Sequence, residues 1–137
     1  GTPNITLPKT RFENLDFSFS GIKTAVINLH HKTPDINKAD LCASFEKTVT
    51  EELLFNTLKA AKELNINKIA LAGGVSANSY IRKAFKELEE KENIKVYYPE
   101  LKLCTDNAAM IASAGYYNFL KGNFSDLKLN AVPNLKL

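Results

Sequence analysis

The 137-residue sequence is poor in the side chains that most metal and redox chemistry requires. Its two cysteines, Cys42 and Cys104, lie far apart and in no metal-ligand spacing. That usage reads as a reduced, cytoplasmic chain rather than a disulfide scaffold. His30 and His31 are the only histidines. Adjacent helical residues diverge by about 100°, so they make a poor chelating pair and suit a solvated or dipole-capping role. No Ser/His/Asp or Cys/His set can be assembled, and no two carboxylates stand out as acid and base. Apolar runs long enough to span a bilayer are absent, as is a signal-peptide pattern, so no membrane partner is expected. Charge of one sign is also scarce: the net charge is +3, with lysines scattered among acids. That permits weak nucleic-acid contact without arguing for it.

What is present suits one soluble α/β domain, with 45% hydrophobic and 24% charged residues. Residues 1–14 carry Pro3 and Pro8 and no steady period, so they read as an extended lead-in, native or part vector-derived. Leu15, Phe17 and Phe19 alternate with polar residues in a strand-like pattern, with the aromatics expected in the core and the serines outward or capping. Ser20 is placed to cap a helix whose Ile22, Ala25, Val26 and Leu29 share a face, and Thr33-Pro34-Asp35 breaks it. A longer helix is expected from about 37–40, with Leu41, Phe45, Val49, Leu53, Ala60 and Leu64 at helical spacing and Cys42 on its apolar face. Glu46, Lys47, Lys59 and Lys62 are assigned to water. Residues 68–72 and 94–98 read as strands, each followed by a helix, which favours parallel pairing with right-handed crossovers. The last helix, to about Lys121 with Gly122 as its C-cap, is apolar nearly all round and is expected to be central and buried. Tyr97, Tyr98, Tyr116 and Tyr117 read as packing residues. Residues 123–137 form a tail without clear pattern.

Two runs place small or polar residues where an apolar segment meets a helix: Leu71-Ala72-Gly73-Gly74-Val75-Ser76-Ala77-Asn78 and Cys104-Thr105-Asp106-Asn107-Ala108-Ala109-Met110-Ile111-Ala112. Such junctions offer backbone N–H groups and the positive end of a helix dipole, so the two look like parts of one ligand site. Gly73 and Gly74 admit close approach of a ligand, or simply make a tight strand-to-helix turn. Asn78 supplies an amide that donates and accepts, or is a first-turn surface residue. Neither a phosphate-binding Gly-Lys-Ser/Thr nor a third glycine at dinucleotide spacing follows. Asp106 complements a helix dipole, and it or Thr105 is the cap; the competing reading makes it a metal ligand. Cys104 borders the second run, with no neighbouring His or Lys to favour a thiolate.

With Asp16-Phe17-Ser18-Phe19-Ser20-Gly21-Ile22-Lys23-Thr24 ahead of these two runs, the chain resembles the C-terminal part of the tRNA N6-adenosine threonylcarbamoyltransferase (TsaD) family, once labelled O-sialoglycoprotein endopeptidase. The resemblance covers residues 15–122 and rests on three blocks in order. It implies a partial lobe of an actin-, Hsp70- and sugar-kinase-like (ribonuclease H-like) ATPase fold, helix-rich with a small, mostly parallel sheet. It also implies transfer of a threonylcarbamoyl group from threonylcarbamoyl-AMP to N6 of the adenosine beside the anticodon, in tRNAs reading codons that begin with A. By that match Asn78 contacts the adenylate, Gly73 and Gly74 pass close to it, and Asp106 is a ligand of one divalent metal, iron or zinc. Implied partners are tRNA and the paralogous and ATPase accessory proteins of the modification complex.

The family's other metal ligands are two histidines four apart on an N-terminal-lobe helix, and His30-His31 does not correspond to them. The chain is therefore expected to be a fragment, inactive alone, that self-associates where an exposed edge or apolar patch is left uncovered. The competing function is a non-catalytic adenine-nucleotide-binding or assembly module of the same superfamily. The protease label finds no support in the residues present.

Overall fold

A computed structural model describes residues 1–10, 12 and 14–133. The parts of the lead-in at 11 and 13 and of the tail at 134–137 lie outside the described residues. The elements run α1 (Ser20–Lys32), α2 (Lys38–Glu63), β1 (Lys68–Ala70), a 3-10 turn (Gly74–Ala77), α3 (Ser79–Lys91), β2 (Lys95–Tyr97), a second 3-10 turn (Leu101–Leu103) and α4 (Ala108–Leu120). This is a helix-rich α/β chain with a two-stranded parallel sheet. It divides into two compact units, Gly1–Cys104 and Thr105–Leu137.

In the first unit, β1 and β2 pair in the register Lys68↔Lys95, Ile69↔Val96 and Ala70↔Tyr97, the parallel arrangement expected of strands joined through a helix. Backbone bonds from Lys95 to Asn67 and from Leu71 to Tyr97 extend the ladder by a residue at each end. Phe85 and Ile81 of α3, Ala61 of α2, and Ile94 and Val96 form the core, with Leu53, Leu58, Ile69 and Leu88 packed around them. Phe85, 2% exposed, is the largest apolar side chain of this cluster. Removing its ring would cost about 3–5 kcal/mol.

Helix α2 opens on Asn37, whose side chain accepts from the N–H groups of Ala39 and Asp40. It closes with Asn65 at φ +52°, while the N–H groups of Asn65 and Ile66 bond the carbonyls of Lys62 and Ala61. These paired bonds satisfy carbonyls that an unterminated helix leaves open, and asparagine tolerates the left-handed turn.

The lead-in lies along α2 and is held by a polar stripe on that helix. Thr2 N–H donates to Asp40 Oδ1 (2.7 Å), Ile5 N–H to Ser44 Oγ (3.0 Å), and Lys9 pairs with Glu51. Further on, Asn56 Nδ2 donates to the Asp16 carbonyl (2.9 Å). Ser44 is buried and satisfied, because its hydroxyl also donates to the Asp40 carbonyl.

Several expectations need correction. Residues 15–19 form no strand: Phe17 and Phe19 are exposed and stack on each other at 5.8 Å. Two aromatics that shield one another need no core face. Ser20 is the first helical residue rather than the cap; Phe19 holds the cap position without a side-chain bond. Cys42 is exposed, one position round from the buried Leu41. Phe45 and Leu64, assigned to the inner face of α2, are exposed, as are Tyr97, Tyr116 and Tyr117.

In the second unit, α4 is capped by Asn107, not by Thr105 or Asp106: its side chain accepts from Met110 N–H at 3.0 Å. The helix ends at Leu120, with Gly122 at φ +71° one place beyond the Lys121 cap. The N–H groups of Gly122 and Asn123 bond the carbonyls of Phe119 and Asn118, again closing the last turn. No residue of α4 is buried, contrary to expectation. An all-round apolar helix is covered only by what packs on it, and in this unit no helix or strand follows it among the described residues. Among those residues no helix is long and apolar enough to cross a membrane.

Candidate functional site

Strand β1 runs out into Gly73, whose φ of +82° and ψ of +169° belong to a region essentially reserved for glycine. A Cβ there would meet nothing within 4 Å, so backbone conformation, not crowding, requires the glycine. The chain then tightens into the 3-10 turn, where Ser76 is buried and its hydroxyl donates to the Gly73 carbonyl at 2.6 Å. Asn78 ends that turn and caps α3, with Oδ1 accepting from Ile81 N–H at 2.9 Å. Asn78 is therefore the cap itself and half-buried, rather than a first-turn surface residue. The same amide also donates from Nδ2 to Glu46 Oε1 of α2, at 2.7 Å.

That bond sits at the wall of a groove of about 880 Å³ running between α1 and α2. Val26 and Ile27 of α1 with Leu41 and Phe45 of α2 give it an apolar body, and Phe19 adds an aromatic edge. Ser20, Lys23, Glu46 and Asn78 are its polar lining. Two of the three sequence blocks thus meet on one groove, although more than fifty residues separate Ser20 from Asn78 in the chain. Gly73 and Gly74 are not among the residues that line it; they shape the turn that delivers Asn78.

A second cluster fixes the same turn from behind. Arg82 of α3 donates from Nε to the Ser76 carbonyl (2.5 Å) and from Nη2 to the Pro99 carbonyl (2.7 Å) and Cys104 Sγ (3.2 Å). Its guanidinium lies 5.5 Å from the Tyr98 ring centre. Cys104 is buried, and its thiol donates to the Glu100 carbonyl, so it is held structurally instead of being offered to solvent. Burial pushes the Tyr98 phenol up, opposed by the nearby Arg82 charge.

On the edge of α3, the Glu89 carboxylate accepts from Lys95 Nζ (2.9 Å) and Val96 N–H (3.1 Å). Those two bonds hold it below the usual carboxylate range, and the Lys95 ammonium is raised in turn.

The metal-type residues do not gather. Among the described residues, no three His, Cys, Asp or Glu side chains form a group able to hold an ion. His30 and His31 end α1 in the open, with ring centres 6.4 Å apart, in the position expected for charges facing a helix C-terminus. Asp106 is exposed and precedes the Asn107 cap within the second unit.

Sequence reasoning misses Glu46 and Arg82. Glu46 is assigned to water, yet it stands four residues after Cys42, and both reach the groove. The i, i+4 pairing is the available signal. Arg82 gives no signal, since its partners are three main-chain or sulfur acceptors spread over 28 positions.

A family model described as tRNA N6-adenosine threonylcarbamoyltransferase (TsaD) matches residues 1–113. Curated relatives of that name include proteins of Clostridium kluyveri, 50% identical over all of this chain, and of Thermosipho africanus, 54% identical over 98% of it. One from Clostridium perfringens is 52% identical over 97%. The chain spans only 41–42% of the length of these relatives. A match over four-fifths of the chain, with relatives about half identical across nearly all of it, means that the chain belongs to the tRNA N6-adenosine threonylcarbamoyltransferase family.

Proposed function

We propose that this chain is the C-terminal part of a cytoplasmic enzyme that transfers a threonylcarbamoyl group from threonylcarbamoyl-AMP to N6 of the adenosine next to the anticodon, in tRNAs reading A-starting codons. The observation that carries the reading is the convergence of Ser20, Lys23 and Asn78, from separate family blocks, on one groove with an apolar body. A groove of that make-up suits a flat, largely apolar base with polar substituents at its margin. In this reading the chain is a partial lobe of an actin-, Hsp70- and sugar-kinase-like ATPase fold. Its partners are tRNA and the paralogous and ATPase accessory proteins of the modification complex.

The work assigned to this chain is binding and orientation. Asn78 offers its amide to the adenylate portion of the donor, and the turn at Gly73 and Gly74 brings the backbone past it. Held there, the carbamoyl donor loses rotational freedom before it meets the acceptor amine, which lowers the entropic part of the barrier.

The family resemblance also implies iron or zinc, which would polarise the transferring carbonyl. One exposed carboxylate is too few ligands for a divalent ion, and among the described residues no group of three His, Cys, Asp or Glu side chains completes the set. Asp106 enters the reading as a single oxygen ligand, completed by residues outside the chain.

The test joins this chain to the N-terminal part of the Thermosipho africanus relative and measures transfer to tRNA together with bound metal. Asn78→Ala should lower transfer by about tenfold or more, and Asp106→Ala should lower metal content and transfer together. Unchanged transfer in the first variant, or unchanged metal in the second, removes that residue from the site.

A further inference from the structure

We propose that Glu46 is a positioning residue: it fixes which way the Asn78 amide faces, and so which atoms Asn78 presents to the ligand. The inference rests on the reading above, in which Asn78 contacts the adenylate, and it adds a residue from a different helix to that contact.

A side-chain amide carries two donors on Nδ2 and two lone pairs on Oδ1, and its last torsion is soft, with two nearly equivalent orientations. At Asn78 both partners discriminate between them. Ile81 N–H is a donor and bonds Oδ1 at 2.9 Å. Glu46 Oε1 is an acceptor and bonds Nδ2 at 2.7 Å. Flipping the amide would set donor against donor on one side and oxygen against carboxylate on the other. Oδ1 and Nδ2 turn together about the last torsion, so the cap bond favours one orientation and the Glu46 bond adds a second penalty to leaving it. One Nδ2–H and one Oδ1 lone pair then remain, at fixed places, for a further partner.

Glu46 is well supported for this task. It lies within the 26-residue α2, whose polar stripe is tied down by the lead-in. The carboxylate is half-buried and lines the groove beside Asn78. A charged acceptor also makes a stronger bond than a neutral one, which suits an element that must hold its orientation while a ligand comes and goes.

The chemistry separates orientation from charge. Glu46→Gln keeps a carbonyl oxygen that accepts from Asn78, whereas Glu46→Met keeps the length and loses the acceptor. In nuclear magnetic resonance spectra of the 137-residue chain, the two Asn78 side-chain amide protons should stay distinct and slow to exchange with water in the wild type and Glu46→Gln. In Glu46→Met they should lose that protection. AMP, the probe titrated, should bind Glu46→Gln within about threefold of wild type, and both Glu46→Met and Asn78→Ala about tenfold more weakly.

If Asn78→Ala weakens AMP but Glu46→Met does not, the positioning role is overturned and the adenylate reading stands. Equal losses in Glu46→Gln and Glu46→Met would also overturn it, by showing that the charge acts on the ligand. Should AMP bind Asn78→Ala as it binds wild type, the adenylate reading falls and takes the inference with it. A charge swap covers the case in which Glu46→Met does not fold. Asn78→Asp keeps the cap but sets carboxylate against carboxylate, and Glu46→Gln in the same chain restores a donor to face it. Recovery in that double variant of the folding stability lost in Asn78→Asp alone supports the pairing; no recovery refutes it.

Discussion

Replacing Arg82 tests how the Gly73–Asn78 turn is held. Its guanidinium gives two bonds to main-chain carbonyls, at 2.5 and 2.7 Å, and one to sulfur at 3.2 Å, with the Tyr98 ring 5.5 Å away. Hydrogen bonds from a charged donor are worth about 1.5–3 kcal/mol each, and a cation over a ring at a half-exposed site about 0.5–1 kcal/mol. The simple sum overshoots, because one Nη2 is shared and the half-buried side chain also loses rotamer freedom. Arg82→Met is therefore expected to cost about 2–3 kcal/mol in urea unfolding of the chain. Arg82→Lys should recover less than half of that, since one ammonium cannot span the Ser76 and Pro99 carbonyls at once. Amide exchange locates the effect. Ser76, Asn78 and Cys104 should exchange faster in Arg82→Lys, while Phe85 and Val96 change only with global stability. Arg82→Lys indistinguishable from wild type, or exchange that rises uniformly, would refute the argument that the fork joins the two segments.

Two further outcomes follow from features away from the groove. The Glu89 carboxyl is held low first by the Lys95 hydrogen bond and then by Val96 N–H. Its contribution is thus full above the ordinary value of 4.5 and is lost as pH falls through the lower folded value. Thermal melts from pH 7 to pH 3 should show a smaller acid-side fall in Glu89→Gln than in wild type; parallel curves would exclude the linkage. The second outcome concerns α4, where Ile111, Tyr117 and Phe119 are each more than 60% exposed. Light scattering should detect association that grows with concentration and weakens in Ile111→Glu, and a clean monomer at high concentration would count against it.

Legibility in the sequence follows the kind of contact each segment makes. α3 and the two strands are readable because their apolar residues repeat at a fixed period and are buried by neighbours close in the chain: Ile81, Phe85 and Val96 form the core. The lead-in is readable as extended, but its docking on α2 is not, because a segment docked through its backbone imposes no period on its own side chains. The trace lies in the partner instead, in Asp40, Ser44 and Glu51, polar residues that recur at helical spacing along α2. α4 shows the opposite failure. Its composition states that it must be covered, but not by what, and a pattern cannot supply the covering surface.

The groove combines both cases. Asn78 stands out in the sequence as one of a run of small and polar residues, and the structure gives that residue two tasks at once. Its oxygen closes α3, which is a local role that any capping residue performs. Its nitrogen meets Glu46, which is a tertiary role that depends on how α2 lies. A cap alone is satisfied by serine, threonine or aspartate, none of which has an amide to give to a carboxylate. Asparagine is the short side chain that meets both demands, so the bond to Glu46 explains the choice of residue better than the helix end does. What ties the run to the rest of the fold is therefore the pair Asn78–Glu46, and only the nearer half of that pair is visible in the motif.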